Sequence, residues 1–445
     1  MRHPPRSAMR KKFVSEVASS RLLMTTLSVL TIGVLAACAD SPAHSSNTAQ
    51  QSSAVAKSTA PTPPAAPLPA ESFSTWRDEF RTHALASGIS AHTFDQAFAG
   101  ITPDQAVIDA DRSQPEFVRP VWQYLESAVS PLRVRNGQGK LAENANVLGQ
   151  IDARYAVDGE AVVAIWGMES NFGSHMGDKN VIRSLATLAY EGRRPEFGRS
   201  QLIAALQIIE HGDVPASDMV GSWAGAMGQT QFIPTTYNQY AVDFDGNGKR
   251  DIWRSSADAL ASTANYLRAS GWQAGQTWGF EVRLPASFDY ALAEMSIRKP
   301  LSEWQSLGVQ PVNGSLPANP QSSASLLLPA GHRGPAFLVT DNFRAILRYN
   351  NSTSYALAVG LLADSFKGGG AIAGRWPLED VPLSRSERIA LQEGLANHGY
   401  QPGAADGIIG ANTRKAIRAY QQSLGWPADG YPTPALLKTL GASTP

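Results

Sequence analysis

Apolar residues recur at helical spacing through most of residues 73–366, and one run, Ala161-Val162-Val163-Ala164-Ile165-Trp166, is unbroken. Continued as a helix, it places Val162, Ile165, Trp166 and Glu169 on one face at i, i+3, i+4 and i+7. Helical character is also predicted over 261–269, 343–350 and 355–362. Between 280 and 336 the pattern shifts to Pro, Ser and short β-prone runs such as Ser325-Leu326-Leu327-Leu328, which predicts a small strand-containing insertion rather than a separate domain. Gly368-Gly369-Gly370 marks a linker over 367–382. The last unit, 383–440, echoes itself: Leu391-Gln392, Gly399-Tyr400 and Asp406-Gly407 return loosely as Tyr420-Gln421, Gly425-Trp426 and Asp429-Gly430. The Asp-Gly pairs supply turns between helical runs, so a compact helical module is expected.

The N-terminal end follows a different pattern. Arg2, Arg6, Arg10, Lys11, Lys12 and Arg21 precede an apolar run over 22–37, which is short for a membrane span and fits a secretory signal over 1–37. Residues 38–72 are rich in Ser, Thr, Ala, Gln and Pro, with too few large apolar side chains to offset chain entropy, and read as a tether. Cys38 is the only cysteine of the 445 residues, so no intramolecular disulfide can form. With a formal net charge of zero, the chain carries no excess that would draw it to nucleic acid.

Three segments carry candidate chemistry. Glu169 closes the apolar run; a carboxyl on such a face loses hydration, which raises its pKa toward that of a general acid, unless it merely caps the helix and points to water. Gly225-Ala226-Met227-Gly228 leads to Gln229 and Gln231; small residues there let the backbone approach either a ligand or another helix. Asp243, Asp245, Asn247 and Lys249 alternate through a Gly-containing loop, as oxygen ligands of a hard cation do. The twelfth position of that loop is Arg254 rather than glutamate, leaving Asp258 as the nearest carboxylate to close it; a turn without metal is the alternative.

Glu169-Ser170-Asn171-Phe172-Gly173, Gly225 to Gly228 with Gln231-Phe232-Ile233-Pro234, the upstream Asp111 to Phe117 and the later Arg348-Tyr349-Asn350 together resemble the membrane-bound lytic murein transglycosylase B family. The resemblance implies a mainly α, lysozyme-like catalytic domain over 73–366. It further implies cleavage of the β-1,4 bond between N-acetylmuramic acid and N-acetylglucosamine in peptidoglycan, without a catalytic cofactor. By that resemblance Glu169 acts first as acid on the leaving oxygen and then as base on the sugar's C6 hydroxyl, giving a 1,6-anhydro end. Ser222 and Gln231 are expected beside the cleaved bond, with Tyr266, Tyr349 and Asn350 lining the cleft, although either tyrosine fits a core position equally well. Gln229 stands where the family is expected to place a cleft tyrosine. The family also implies a structural calcium ion held at Asp243, Asp245, Asn247, Lys249 and Asp258.

Residues 383–440 resemble the peptidoglycan-binding domain 1 family through Leu391-Gln392, Gly399-Tyr400, Asp406-Gly407 and Tyr420-Gln421, which implies three helices. Leu35-Ala36-Ala37-Cys38 resembles a bacterial lipobox, the alternative being an ordinary signal with an incidental cysteine. A lipidated Cys38 followed by Ala39 implies the periplasmic side of the outer membrane of a Gram-negative cell. The expected partners are peptidoglycan glycan strands, the membrane through the anchor, and unidentified cell-wall synthesis enzymes. Two rival readings are a hydrolytic muramidase, for which Asp178, Asp213 or Asp218 would have to supply a second carboxylate, and a non-catalytic tether.

Overall fold

Helix Gly159–Ser170 runs through an apolar core, and every residue from Ala161 to Gly167 is buried. The stripe of Val162, Ile165 and Trp166 is thus one face of a helix enclosed on all sides; Val163, Ala164 and Gly167 fill the others. Its partners are helix Thr353–Phe366, buried along most of its length, and helices Ser256–Ala269 and Pro131–Glu143. A second core forms where Val181–Glu191 packs on Pro195–Glu210. Against it lie the N-terminal helices Phe73–Ala86 and Ala91–Ala97, each begun by a serine, Ser72 or Ser90, that accepts a backbone N–H of the first turn. Stacked aromatics seal this end, with Phe73 on Trp76 and Trp76 on Phe80, both at 5.3 Å between ring centroids. Tyr349 packs against both cores, so the seam between them runs past it.

The computed structural model describes residues 72–113, 119–314, 316–317 and 319–441. The signal read at 1–37, Cys38, the tether up to residue 71 and part of the upstream motif, Gln114 to Phe117, lie outside the described residues. No helix among the described residues is long and apolar enough to cross a membrane.

The β-prone stretch forms an antiparallel sheet in the order Lys299–Pro300, Ser323–Leu327, Ala336–Val339, Gly279–Arg283, Gln310–Pro311. Leu326 and Leu338 pair across two strands and face a small core with Trp304 and Val282. Leu327, Phe337 and Val339 face the opposite way, into the core of helix Gly159–Ser170. Both faces are covered, which explains why Leu326 to Leu328 reads as a continuous apolar run instead of an alternating one.

Three helices, Arg385–Asn397, Ala411–Ser423 and Pro434–Thr439, enclose Leu391, Leu395, Ile417, Leu436 and Leu437. The sequence echo is a structural repeat. Gln392 accepts the N–H of Gly407 (2.8 Å) and donates to Asp406 (3.3 Å), while Gln421 accepts from Gly430 (2.9 Å) and donates to Asp429 (2.7 Å). Each glutamine thereby ties its helix to an Asp-Gly turn.

The linker 367–382 has no helix or strand, yet it is pinned. Glu281 accepts the N–H groups of Ala373 and Gly374, both at 2.7 Å, Arg333 pairs with Glu379 and Asp380, and Ile372 and Trp376 pack on the main core. The C-terminal module meets the sheet region through Arg414 and Arg418 on Glu294 and through His332 on Asp429, whose carboxylate accepts both the backbone N–H (2.8 Å) and Nδ1 (2.6 Å).

Candidate active site

Glu169 occupies the last turn of its helix, which ends abruptly. Asn171, Phe172 and Gly173 have φ of 48°, 60° and 82°, three successive left-handed residues. For the two that are not glycine this costs about 1–2 kcal/mol each. The turn is held by Phe172 N–H on the Trp166 carbonyl (3.2 Å), His175 N–H on the Ser170 carbonyl (2.8 Å) and the Phe172 ring edge-on to Trp166. At Gly173 a Cβ would come 2.7 Å from Gln229 Oε1, so the backbone needs glycine for space as well as for φ.

Gln229, buried, braces this turn. Its Oε1 accepts from the Trp166 indole (2.9 Å), its Nε2 donates to the Trp253 carbonyl (3.3 Å) and its own carbonyl accepts from Ser170 Oγ (2.7 Å). In the place of the expected cleft tyrosine, the chain thus has a buried structural amide. The glycine-rich segment is not a packing helix: it folds back on itself, with Ser222 N–H on the Ala226 carbonyl (2.7 Å) and Met227 N–H on that of Phe232 (2.9 Å). Gly225 and Gly228, both at positive φ, press against Leu185 and Ile252. Their smallness serves the protein's own close packing.

The Glu169 carboxylate accepts a 2.6 Å hydrogen bond from the Tyr355 hydroxyl. The side chain keeps a small opening to solvent, but its carboxyl lies deep enough for burial to dominate, pushing its pKa from an ordinary 4.5 to about 7 against the opposing pull of Tyr355. Among the described residues no second carboxylate and no cation contributes to that shift. The hydroxyls of Tyr355, Tyr349 and Tyr124 are all raised, chiefly by burial and next by the Glu169 charge, which places three phenols around one carboxyl. Tyr355 and Tyr124 were not singled out by sequence reading. Tyr355 opens an apolar helical run and looks like a core residue; its partner lies 186 positions away.

Tyr349 donates to the Thr230 carbonyl (2.7 Å) and meets Tyr266 edge-on at 5.0 Å, joined there by Phe232 and Tyr240. The two tyrosines are therefore packed and hydrogen-bonded, Tyr266 to the Arg348 carbonyl, while part of each stays accessible. Gln231, at φ 50°, donates its amide to the Met176 (3.1 Å) and Gly228 (2.9 Å) carbonyls. Ser222 Oγ accepts from Ala226 N–H (3.0 Å) and so closes its own loop. Asn350 caps helix Asp341–Tyr349 and is exposed. Of the rival carboxylates, Asp178 is exposed, Asp213 is buried against Arg250 at 2.6 Å, and Asp218 pairs with Arg254.

Asp243, Asp245 and Asp258 converge, with a carboxylate oxygen of each within 4.8 Å of the others. Asp258 is fully buried, and its carboxylate's partners among the described residues are all backbone N–H groups, Phe244 (2.8 Å), Asp251 (2.9 Å) and Asp245 (3.3 Å); burial holds its pKa above the ordinary value. Three carboxylates, one of them buried and none in an ion pair among the described residues, fit a divalent cation, with Asn247 and Lys249 on the same loop. The loop continues to Ile252 and Trp253, whose carbonyls hold Gln229.

Residues 72–364 match the model of the transglycosylase SLT domain family, and residues 384–440 match that of a putative peptidoglycan binding domain. Membrane-bound lytic murein transglycosylase B of Escherichia coli K12 is 33% identical over 245 residues, 53% of this chain and 64% of that protein, so the match spans just under two thirds of the relative. The crystal structure of SltB3 from Pseudomonas aeruginosa in complex with NAG-anhNAM-pentapeptide is 75% identical, with a TM-score of 0.82, covering 84% of this chain and 100% of that one. Escherichia coli Slt35 in complex with calcium is 28% identical, with a TM-score of 0.57, over 65% of this chain and 92% of that one.

Proposed function

We propose, from the premise that this chain belongs to the transglycosylase SLT domain family, that it is a lytic murein transglycosylase with Glu169 as its single acid and base. The observation that carries the reading is the lone carboxyl of Glu169, held near a pKa of 7 by burial. At neutral pH such a group is present in both forms, and neither role requires a large driving force. Protonated Glu169 delivers its proton to the glycosidic oxygen as the C1–O bond breaks, and the substrate's 2-acetamido group supports the cationic C1. The carboxylate so formed takes the proton of the C6 hydroxyl as that oxygen bonds to C1, which closes the 1,6-anhydro ring and restores the starting acid. Tyr355 holds the carboxyl in place through both steps.

Two-carboxylate glycosidases set the second group about 5–9.5 Å from the first. Asp213 and Asp218 are engaged by arginines and Asp178 is exposed, which favours the single-carboxylate reading. Ser222, Gln231, Tyr266, Tyr349 and Asn350 are proposed to line the cleft, with polar atoms and aromatic edges for the sugars. Asp243, Asp245 and Asp258, with Asn247 and Lys249, would hold calcium, which would stiffen the loop that supports Gln229 and take no part in the chemistry. The C-terminal module would raise the local concentration of enzyme on the polymer. A lipid on Cys38 would fix the protein to the periplasmic side of the outer membrane; the membrane-bound name of the Escherichia coli relative supports this. Labelled fatty acid incorporated by the wild type and lost in Cys38→Ser tests it.

The deciding experiment is mass spectrometry of borohydride-reduced muropeptides released from sacculi, with Glu169→Gln in parallel. Non-reducible anhydromuramyl ends made only by the wild type are expected. Reducible ends would make the protein a hydrolase, and no release with retained sacculus binding would make it a tether.

A further inference from the structure

An open groove of about 370 Å³ lies between helix Val121–Ala128 and the pinned linker, walled by Trp122 and Trp376. Their rings are 6.2 Å apart and inclined at 35°, and each stays partly exposed. Leu361 and Ile372 lie in its lining, and among the described residues Glu126 is the only charged one there. Among the described residues neither indole N–H and no oxygen of Glu126 has a hydrogen-bonding or ionic partner. Aromatic faces beside unspent donors and an unspent carboxylate suit a ligand whose flat sides are C–H and whose rim is hydroxyl and amide.

We propose that this groove is a second saccharide site, which holds neutral N-acetylhexosamine units of a glycan strand outside the cleft. It rests on the function proposed above in that the strand it holds is the one Glu169 cuts. Charge selects the occupant: with Glu126 the sole ionised group and no lysine or arginine among the described lining residues, stem-peptide carboxylates and anionic lipid headgroups are repelled, whereas an uncharged sugar is not. Position supports it as well. Helix Thr353–Phe366 carries Tyr355 at the catalytic carboxyl and Leu361 at the groove, six residues and therefore about 9 Å of helix rise further on. Helix Val121–Ala128 likewise gives Tyr124 to the surroundings of Glu169 and Trp122 to the groove. The wall formed by Trp376 is rigid because Glu281 grips the backbone two and three residues before it. A preformed aromatic wall loses little freedom when a sugar binds.

The test is calorimetric titration of Glu169→Gln with N-acetylchitotetraose, a neutral probe, alone and combined with Trp122→Ala, Trp376→Phe or Glu126→Gln. Two binding events are expected. One weakens about tenfold in the Trp122 and Glu126 variants, the loss of one aromatic stack or one charge-assisted hydrogen bond, and the other does not move. Glu126→Gln alters an exposed side chain and cannot act by unfolding the domain. A single event, or two events indifferent to all three substitutions, overturns the proposal, as does flotation of the protein with phosphatidylethanolamine–phosphatidylglycerol vesicles that is lost in Trp122→Ala. Because no turnover is needed, failure of wild-type enzyme to release anhydro ends would sink the proposed reaction and leave this result standing.

Discussion

Replacing Glu169 by glutamine is expected to stabilise the protein while abolishing its turnover. The carboxyl titrates near 4.5 in the unfolded chain and near 7 in the folded one, a difference of about 3 kcal/mol. Between those values the folded state binds the proton and the unfolded state does not, so wild-type stability falls as pH rises from 4.5 to 7 and then levels off. The substituted amide keeps the hydrogen bond from Tyr355 and has no proton to lose. The two proteins should therefore unfold alike below pH 4.5, and the variant should be more stable by about 3 kcal/mol above pH 7, or roughly 6 °C in the melting temperature of a catalytic unit this size. Urea or thermal melts across pH 4–8, followed by tryptophan fluorescence, read the gap directly. A gap that does not change with pH, or a variant that is less stable at pH 8, would refute the claim that burial raises this carboxyl. Turnover in the same variant should fall at least a hundredfold, about the lower bound for removal of a general acid.

Other expectations follow from neighbouring contacts. Tyr355→Phe removes a hydrogen bond that favours the ionised form, so the Glu169 pKa should rise further and the falling limb of the kcat/KM profile should move to higher pH; an unmoved limb would count against the contact. Gln229→Ala strands the buried Trp166 indole and should cost about 1–3 kcal/mol in urea melts, with loss of activity from a loosened turn. Calcium at about a hundred times its Kd should stabilise the protein by about 2.7 kcal/mol over its EDTA-treated form, and Asp258→Asn should erase that difference. Equal melting with calcium and EDTA would leave the acidic loop as a turn.

Glu169 was legible because a carboxyl at the end of an apolar run is chemically anomalous, and the glycine-rich loop because its composition is. What periodicity could not supply is long-range pairing. Tyr355 reaches Glu169 from another helix, and nothing in its surroundings separates it from the core residues that follow it. The helical reading of residues 161–166 located the element but not its surroundings, since a helix buried on every side shows no special face. The insertion was legible from β-prone runs, whereas the fusion of its sheet to the catalytic core depends on which face Leu327, Phe337 and Val339 take. The glutamine repeat was visible as spacing; only the bonds to Gly407 and Gly430 explain why it exists.

The pinned linker bears on how this protein can be dissected. Gly368-Gly369-Gly370 invites a truncation after Phe366, as if the glycines were a hinge between separable parts. Such a cut would strip Ile372 and Trp376 from the core surface, uncover Trp122 and leave the Glu281 carboxylate facing water where it had gripped two amides. A shortened catalytic fragment would be prone to self-association through that bared aromatic patch, and low yield from it would misrepresent the intact enzyme. Recombinant boundaries belong beyond the C-terminal module, and library designs that swap such modules must carry the strap along with them.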